Sequence, residues 1–481
     1  MSPEPDLARR RAAAPDASAP KWIIRRTTLP ALSLALSLAA MAQGRPSPPR
    51  PTDQPTQQAP NPRSAEAEAS EVQQDPFDWN IAWKNWHGLD LYVSGKTGLK
   101  RGDQPLLDFS ETRLAASIGG RLEVDGAAYG TSGSLSGFDD GFDLRRARIT
   151  VKGASLLAVP FSYQIEFGYV PGSFTVNEAY VAIADVPHLG RLKVGQFTPP
   201  VGLQLITSSW DIGLMEPAAP LQAMAPPPQP GVQAGGTFFD RRGTWTAGAF
   251  AGIGAGGEYG SGSKRFGNFM GRATWLAIDD IDDKEPAGNH YLHLGASTSL
   301  QRGANGQLQY RSRPESYLAP HVIDTGVIEA DRAATVGVEL RWTRGPYSAQ
   351  AEAMASRIDS STAGTLNFHG FYAQAGWFIT GESRPYLRDD AVPGRIRPLR
   401  DFGFGPDAGW GAWEAAARVS YSDLSDGAVQ GGRLLMFMSS LNWVLRPQVK
   451  LMFELGAGRV SGTAADGNLL LAQMRMGVYY Y

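Results

Sequence analysis

Residues 161–169 read FSYQIEFGY, with an apolar side chain at every second position. Phe161, Tyr163 and Ile165 begin one face of this stretch, and Gln164 and Glu166 lie on the other. A period of two requires an extended chain, because successive side chains of a strand point to opposite faces. The stretch therefore predicts a β-strand with one apolar and one polar face.

The same alternation continues on both sides of this stretch, from residue 113 to the C-terminus. About sixteen such segments follow one another, a number typical of transmembrane porins, and an even count returns both chain ends to the same side. The predicted strands begin near residues 113, 144, 159, 176, 190, 231, 243, 267, 289, 333, 346, 366, 409, 432, 448 and 467.

A soluble β-sandwich and a membrane barrel both explain any single alternating strand. An export signal, the strand length and aromatic residues near the strand ends favour contact with lipid. These aromatic residues are Trp245, Trp275, Trp342, Trp377, Trp413, Trp443 and Tyr421. We therefore predict an all-β fold, a transmembrane antiparallel β-barrel of about 16 strands.

The last predicted strand has one inconsistency. The chain ends in three tyrosines, and a terminal aromatic on an alternating strand is usual in such barrels. Tyr479 and Tyr481, however, share parity with Gln473 and Arg475. Either the strand contains a bulge, or one aromatic faces the interior.

The N-terminus predicts export. Lys21, Arg25 and Arg26 precede an apolar run that closes on small residues around Ala42. The run is too short to cross ~30 Å of hydrocarbon, so residues 1–42 are predicted to be a signal peptide cleaved near Ala42. The expected destination is the outer membrane of a Gram-negative bacterium.

Three further regions are predicted from composition. Residues 43–75 are rich in Pro, Gln, Ala and Glu and predict a disordered periplasmic spacer. Residues 76–110 contain Trp79, Trp83 and Trp86 and predict a folded segment at the periplasmic end, which would act as a plug if it enters the barrel. Residues 111–481 form the predicted barrel.

The composition excludes several functions. The chain has no cysteine and a formal charge of −2, so it offers neither thiolate chemistry nor an attraction to nucleic acid. His290 and His293 lie three apart on a strand and face opposite sides, so they cannot share a metal ion. An acidic turn around Asp279 and Asp283 admits a calcium site, but a solvated turn is the simpler interpretation. We predict no catalytic residues, metal or cofactor.

Several stretches together resemble the phosphate-selective porin family of the porin O/P type. In chain order they are IGGRLEVD at 118–125, LRRAR at 144–148, EAYV at 178–181, VGQFTPP at 194–200, TGESRPY at 380–386, WEAAAR at 413–418 and LNW at 441–443. The resemblance spans nearly the whole barrel. It implies a sixteen-stranded homotrimeric pore for small solutes or anions in outer-membrane lipid, narrowed by segments folded into the lumen.

Three long connections are candidates for that narrowing. If the N-terminus is periplasmic, segments 199–230 and 302–332 are external and 381–408 is a long periplasmic turn. Basic residues of this turn and of the wall are candidate anion-binding and pore-lining residues, because arginine suits oxyanions. They are Arg146, Arg148, Lys152, Arg191, Lys193, Arg384, Arg388, Arg395, Arg397 and Arg400.

Two observations weigh against a simple phosphate pore. Glu123, Glu166 and Glu178 share the inner face and are able to pair with the basic wall residues. Segment 199–230 has no Lys or Arg and carries Asp211 and Glu216. A mixed lining that passes small organic or weakly anionic solutes fits better, and a plugged anchoring barrel or an outer-membrane hydrolase remain as alternatives.

Overall fold

The computed structural model describes the barrel and a few residues before it. The described residues are 89–93, 99–101, 104–107, 114–155, 161–170, 173–252, 266–282, 288–302, 306–406 and 408–480. The predicted signal peptide, the spacer and Trp79, Trp83 and Trp86 lie outside them.

The described residues form strands and two very short helices. The strands are, in chain order, β1 (Leu89–Val93), β2 (Leu99–Arg101), β3 (Gln104–Leu107), β4 (Leu114–Thr131), β5 (Gly141–Ser155), β6 (Phe161–Val170), β7 (Ser173–Val186), β8 (Gly190–Phe197), β9 (Gln229–Phe238), β10 (Gly243–Ala251), β11 (Phe266–Asp280), β12 (His290–Gln301), β13 (Gln307–Leu308), β14 (Arg311–Ser312), β15 (Ile323–Asp324), β16 (Ile328–Arg344), β17 (Tyr347–Ser360), β18 (Gly364–Phe378), β19 (Tyr386–Leu387), β20 (Val392–Pro393), β21 (Ala412–Asp426), β22 (Val429–Arg446), β23 (Val449–Ser461) and β24 (Gly467–Tyr480). Helix α1 (Leu203–Ile206) and helix α2 (Ala219–Met224) lie between β8 and β9.

The long strands close into a 16-strand antiparallel barrel. Each pairs with its neighbours in the sequence, and β24 pairs with β4 to complete the ring. The predicted fold class is confirmed, and every predicted strand start lies within a few residues of the observed one. None of the described helices is long and apolar enough to cross a membrane.

The two ends of the barrel differ. The strands run alternately, so β4 begins and β24 ends at the same end, which we call the terminal end. Strand β1 pairs there with residues 114–118 of β4, next to the end of β24. The long connections 198–228 and 302–327 lie at the opposite end, which we call the loop end, and 379–411 lies at the terminal end.

The alternating faces point as the sequence predicts. Leu122, Val338 and Leu455 are exposed on the outside of the barrel, whereas their neighbours Glu123 and Glu454 are buried inside. The outward face is therefore the lipid-facing surface of a membrane barrel.

Towards the loop end the inner face is also apolar. Phe368, Leu434 and Ile358 point inward and pack with α2 and with the connection 302–327. The polar inner face predicted from the sequence is thus interrupted at the loop end, where α2 and the connection 302–327 cover apolar inner side chains.

Candidate functional site

Residues 198–228, here called the inner segment, enter the barrel interior from the loop end. Leu203, Leu214, Met215, Leu221 and Met224 are almost completely buried. Apolar side chains are stabilised by burial and not by contact with water. This cluster therefore indicates that the inner segment packs against the barrel wall.

Gly202 lies near the start of the inner segment, at a position that no other residue occupies easily. Gly202 has a φ of 77°, and a Cβ there would lie 2.9 Å from Leu221 and 3.3 Å from a carboxylate oxygen of Glu352. The left-handed backbone and the close approach both require glycine. Glu352 uses this approach to accept hydrogen bonds from the backbone N–H groups of Leu203 (2.7 Å) and Gln204 (2.8 Å).

Two more carboxylates hold backbone N–H groups further along the segment. Glu454 of β23 accepts from Met215 at 2.6 Å, and Glu315 of the connection 302–327 accepts from Ala219 at 3.0 Å. Glu315 is fully buried, has a φ of 53° and pairs with Arg418 at 3.0 Å. A non-glycine residue keeps such a backbone only when its surroundings hold it there.

Wall donors bind the carbonyl groups of the same segment. Arg384 donates to the carbonyl oxygen of Asp211 at 2.6 Å, Asn442 to that of Gly213 at 2.7 Å, and Arg418 to that of Glu216 at 2.8 Å. Buried backbone groups require such partners. The inner segment is therefore held at its N–H and its carbonyl groups, by side chains of β17 and β21–β23 and of the connections 302–327 and 379–411.

Glu216 is the centre of a buried ion cluster. It pairs with Arg145 at 2.7 Å and with Arg475 at 2.6 Å, and Arg475 also pairs with Asp125 at 2.6 Å. Burial alone would raise the pKa of Glu216, but Arg145 and Arg475 outweigh it and hold that pKa well below its ordinary value. The acidic group that the sequence places in this segment is thus neutralised by wall cations.

Arg145 was not expected in the interior. By strict alternation it points to lipid, opposite to Arg146. A register shift lies here: Glu123 pairs with Arg146 and Val124 with Leu144, which leaves Arg145 as the extra residue of a β-bulge. The bulge turns both arginines inward. The sequence did contain a signal for this inward turn. Strict alternation places Arg145 on the lipid face, where a charge is costly.

The predicted wall residues divide into two groups. Arg146 is buried and bonds Glu123, whereas Arg148, which pairs with Glu166 at 2.6 Å, is only half-buried. Lys152 and Arg191 are exposed inside the barrel, and Arg191 lies 3.7 Å from Asp390.

Lys193 is half-buried on the same side of the barrel as Lys152 and Arg191. Its ammonium lies over the rings of Tyr180 (4.2 Å) and Phe197 (4.8 Å). The ion pairs that the sequence allows between wall carboxylates and wall cations are observed at two residues. Glu123 bonds Arg146, and Glu166 bonds Arg148.

The solvent-accessible inner side chains of β5–β8 define what we call the open wall. They are Arg148, Lys152, Gln164, Glu166, Glu178, Tyr180, Arg191 and Lys193. A cavity of about 350 Å³ opens against it, and Ser117, Lys152, Gln164, Tyr180 and Arg191 contribute to its lining. The inner side chains behind the inner segment, from β17 to β24, define the covered wall; they include Glu352, Glu414, Arg418, Glu454 and Arg475, and all are buried.

The predicted basic residues of segment 381–408 also differ from one another in burial and in their partners. Arg384 is buried and pairs with Glu414 at 2.8 Å; burial lowers its pKa, but Glu414 outweighs this and raises the pKa above its ordinary value. Arg388 pairs with Asp279 at 2.7 Å. Arg395 lies 3.7 Å from Asp211 and 4.0 Å above the ring of Tyr479.

The remaining two cations, Arg397 and Arg400, are exposed. The segment thus brings Arg384 and Arg395 to the inner segment and leaves its last arginines outside that contact.

Tyr479 resolves the inconsistency in the last strand. Strand β24 pairs with β23 and β4 without a register shift, so it has no bulge. Tyr479 lies beside Trp210 of the inner segment, with ring centroids 5.7 Å apart. One terminal aromatic therefore faces the interior.

The candidate metal positions gain no support. Among the described residues, no three His, Cys, Asp or Glu side chains are grouped to hold a metal ion. Asp279 of the acidic turn is bound by Arg388, while residues 283–287 lie outside the described residues. His293 is buried between Tyr386 and Glu339, at 2.6 and 2.9 Å.

Comparison with known proteins decides the family. The family model described as phosphate-selective porin O and P matches residues 117–480. The chain belongs to this family. Porin O of Pseudomonas aeruginosa is 24% identical over 362 residues, which cover 70% of this chain and 78% of that protein. An uncharacterized protein of Caulobacter vibrioides is 27% identical over 353 residues, covering 70% of this chain and 67% of that protein.

Solved structures include similar barrels. The anion-selective porin from Comamonas acidovorans has a TM-score of 0.48 at 9% identity and covers 76% of this chain and 100% of its own. The loop L8 deletion mutant of OmpT, an outer membrane protein of Vibrio cholerae, has a TM-score of 0.48 at 10% identity, with coverages of 76% and 100%. As a member of the porin O and P family the protein is an outer-membrane porin, and family and fold point to a channel rather than an enzyme.

Proposed function

We propose that this porin passes small solutes with a moderate preference for anions, along the open wall. The observation that carries this proposal is that the accessible inner charges lie on one side of the barrel. There, Arg148, Lys152, Arg191 and Lys193 accompany the carboxylates Glu166 and Glu178. Cations in excess raise the local concentration of anions in a narrow aqueous passage.

The preference is moderate because the acids of the same passage offset part of the positive charge. Glu166 pairs with Arg148, and Asp390 lies close to Arg191. Lys152 and Lys193 contribute positive charge to the same open wall, and we expect the preference to depend on both. Phosphate is one member of the class of small anions that such a lining accepts, and Porin O of Pseudomonas aeruginosa is a relative of this chain.

Planar-bilayer recordings test this proposal. The purified protein is expected to give stable open steps, with an anion-selective reversal potential in a KCl gradient. Replacing Lys152 and Lys193 together with Gln is expected to weaken the selectivity by about fivefold, since two unit charges near an ion contribute roughly 1 kcal/mol in water. Arg357→Gln/Arg459→Gln is the matched control, because it also removes two cations and both are exposed on β17 and β23, away from the open wall.

Two results would contradict the proposal. A protein that inserts but never conducts favours the anchoring barrel, for which the apolar cluster at the loop end is the supporting observation. An unchanged reversal potential in the Lys152→Gln/Lys193→Gln variant would show that the open wall does not determine the ion selectivity.

The remaining parts of the proposal concern export and assembly. We expect removal of residues 1–42, a periplasmic terminal end and a homotrimer in outer-membrane lipid, with no catalytic activity and no cofactor. Short turns at the terminal end, such as 345–346 and 447–448, agree with a periplasmic position. The mass of the N-terminal peptide of the mature protein tests the cleavage site.

A further inference from the structure

Residues 399–406 and 408–410 leave the barrel interior and lie against the outside of the barrel at the terminal end. We call this stretch the rim foot. The N–H of Phe402 donates to the carbonyl oxygen of Leu445 at 2.8 Å, and the indole N–H of Trp443 donates to that of Trp410 at 2.7 Å. Leu445 and Trp443 belong to β22, so the rim foot is attached to the barrel by its backbone.

The rim foot exposes more apolar surface than a water-facing turn tolerates. Phe404 is 98% exposed, Trp410 70% and Leu399 62%. Full burial of one such side chain is worth about 1.5–3 kcal/mol. Three of them on one short stretch indicate that something other than water covers it.

The position of the stretch identifies the cover. Phe402 packs on Trp443 with ring centroids 5.0 Å apart, and Trp443 stacks on Trp413 at 4.9 Å. Trp413 and Trp443 are directly paired across β21 and β22 on the outward, lipid-facing side of the barrel. The aromatic surface of the rim foot is therefore continuous with the aromatic girdle, which lies at the level of the lipid headgroups.

Charged groups next to this surface suit a phospholipid headgroup. Arg400 and Arg446 are both exposed at the rim foot, and the Nε of Arg446 donates to the carbonyl oxygen of Phe402 at 3.4 Å. Guanidinium groups bind phosphate oxygens, and Asp401 beside them offsets part of the positive charge. The rim foot thus combines an apolar surface for acyl chains with neighbouring cations for a phosphate group.

We propose that the rim foot is a phospholipid-binding anchor: Phe404, Trp410 and Leu399 contact acyl chains of the periplasmic leaflet, and Arg400 and Arg446 contact the phosphate. The anchor is distinct from the conduction path, which follows the open wall on β5–β8. It gives Arg400 a binding role at the membrane.

Single-cysteine labelling tests the proposal cleanly, because the chain has no cysteine of its own. An environment-sensitive fluorophore is attached to Phe404→Cys, and the protein is folded into vesicles of phosphatidylcholine and phosphatidylglycerol with brominated acyl chains. Leu455→Cys on the lipid-facing surface and Ser361→Cys on an exposed turn at the loop end are the positive and the water-exposed controls. Quenching at 404 is expected to approach that at 455 and to exceed that at 361.

Two outcomes overturn the proposal. Quenching at 404 equal to that at 361 shows that the rim foot faces water. Weak quenching together with covalent crosslinking of the Phe404→Cys variant to a second copy by a short bifunctional reagent shows that a second copy of the chain covers it.

A stability measurement adds an independent readout. Phe404→Ser is expected to lower the folded-to-unfolded ratio in vesicles about tenfold, since the exposed Phe loses its lipid contact. The reversal potential should stay unchanged, which separates this proposal from the proposed ion preference. A variant as stable as the natural protein would overturn the anchor.

Discussion

The covered wall and the open wall consist of the same kinds of residues in one barrel. Glu352, Arg418 and Arg475 on the covered wall are buried and hold the inner segment, whereas Lys152 and Arg191 on the open wall are exposed inside the barrel. The difference arises because the inner segment packs mainly against β17–β24 and, apart from its contacts with Arg145 and Arg146, leaves the inner side chains of β5–β8 accessible. Identical side chains are thus structural on one side and available to solutes on the other.

The largest expected effect compares one ion pair from each wall. Glu216→Gln removes the carboxylate from Arg145 and Arg475 in the buried cluster, and breaking such a pair is expected to lower the free energy of unfolding by about 3 kcal/mol. Glu166→Gln removes the half-exposed partner of Arg148, with an expected loss below about 1 kcal/mol. Urea titrations of both variants in vesicles measure the two losses.

Equal losses would show that the inner segment does not desolvate its ion cluster. The distinction between the walls would then have to be abandoned.

A pH series sharpens the same comparison. Because the folded-state pKa of Glu216 is held below its unfolded value, its stabilisation is fully present above about pH 4.3, the unfolded value, and disappears as the pH falls through the folded pKa. The stability difference between the natural protein and Glu216→Gln should therefore be constant from neutral pH to about pH 5 and should shrink only under more acidic conditions. A difference that already shrinks near neutral pH would contradict the depressed pKa.

The smallest expected effect is on ion preference. Glu178→Gln removes a negative charge from the open wall and should raise the anion preference about twofold, the effect of one charge at a distance of several ångström in water. Glu414→Gln removes a negative charge from behind the inner segment and should leave the reversal potential unchanged. If both variants shift the reversal potential equally, ions reach both walls.

The strands were predictable because their signal is local. Alternation in a stretch such as 161–169 depends only on which residues are apolar, and the observed strand β6 covers the same residues. Strict parity failed at β-bulges such as the one at Arg145, where one extra residue turns a side chain to the other face.

The site was predictable only in part. The three constricting connections and the basic residues could be named, but the partners of those residues could not. Arg384 bonds the inner segment and Arg400 lies on the rim foot, although both belong to one basic stretch of sequence. Apolar inward residues such as Phe368 gave no signal either, because a strand that is apolar on both faces does not reveal which partner covers each face.

The sequence by itself determined the membrane barrel, its strand number and its inward and outward faces, because a period of two and an apolar face are properties of neighbouring residues. Tertiary structure alone decided which inner charges are covered. That depends on where residues 198–228 lie, and their position is fixed by contacts with residues far away in the sequence, such as Glu352 and Arg475.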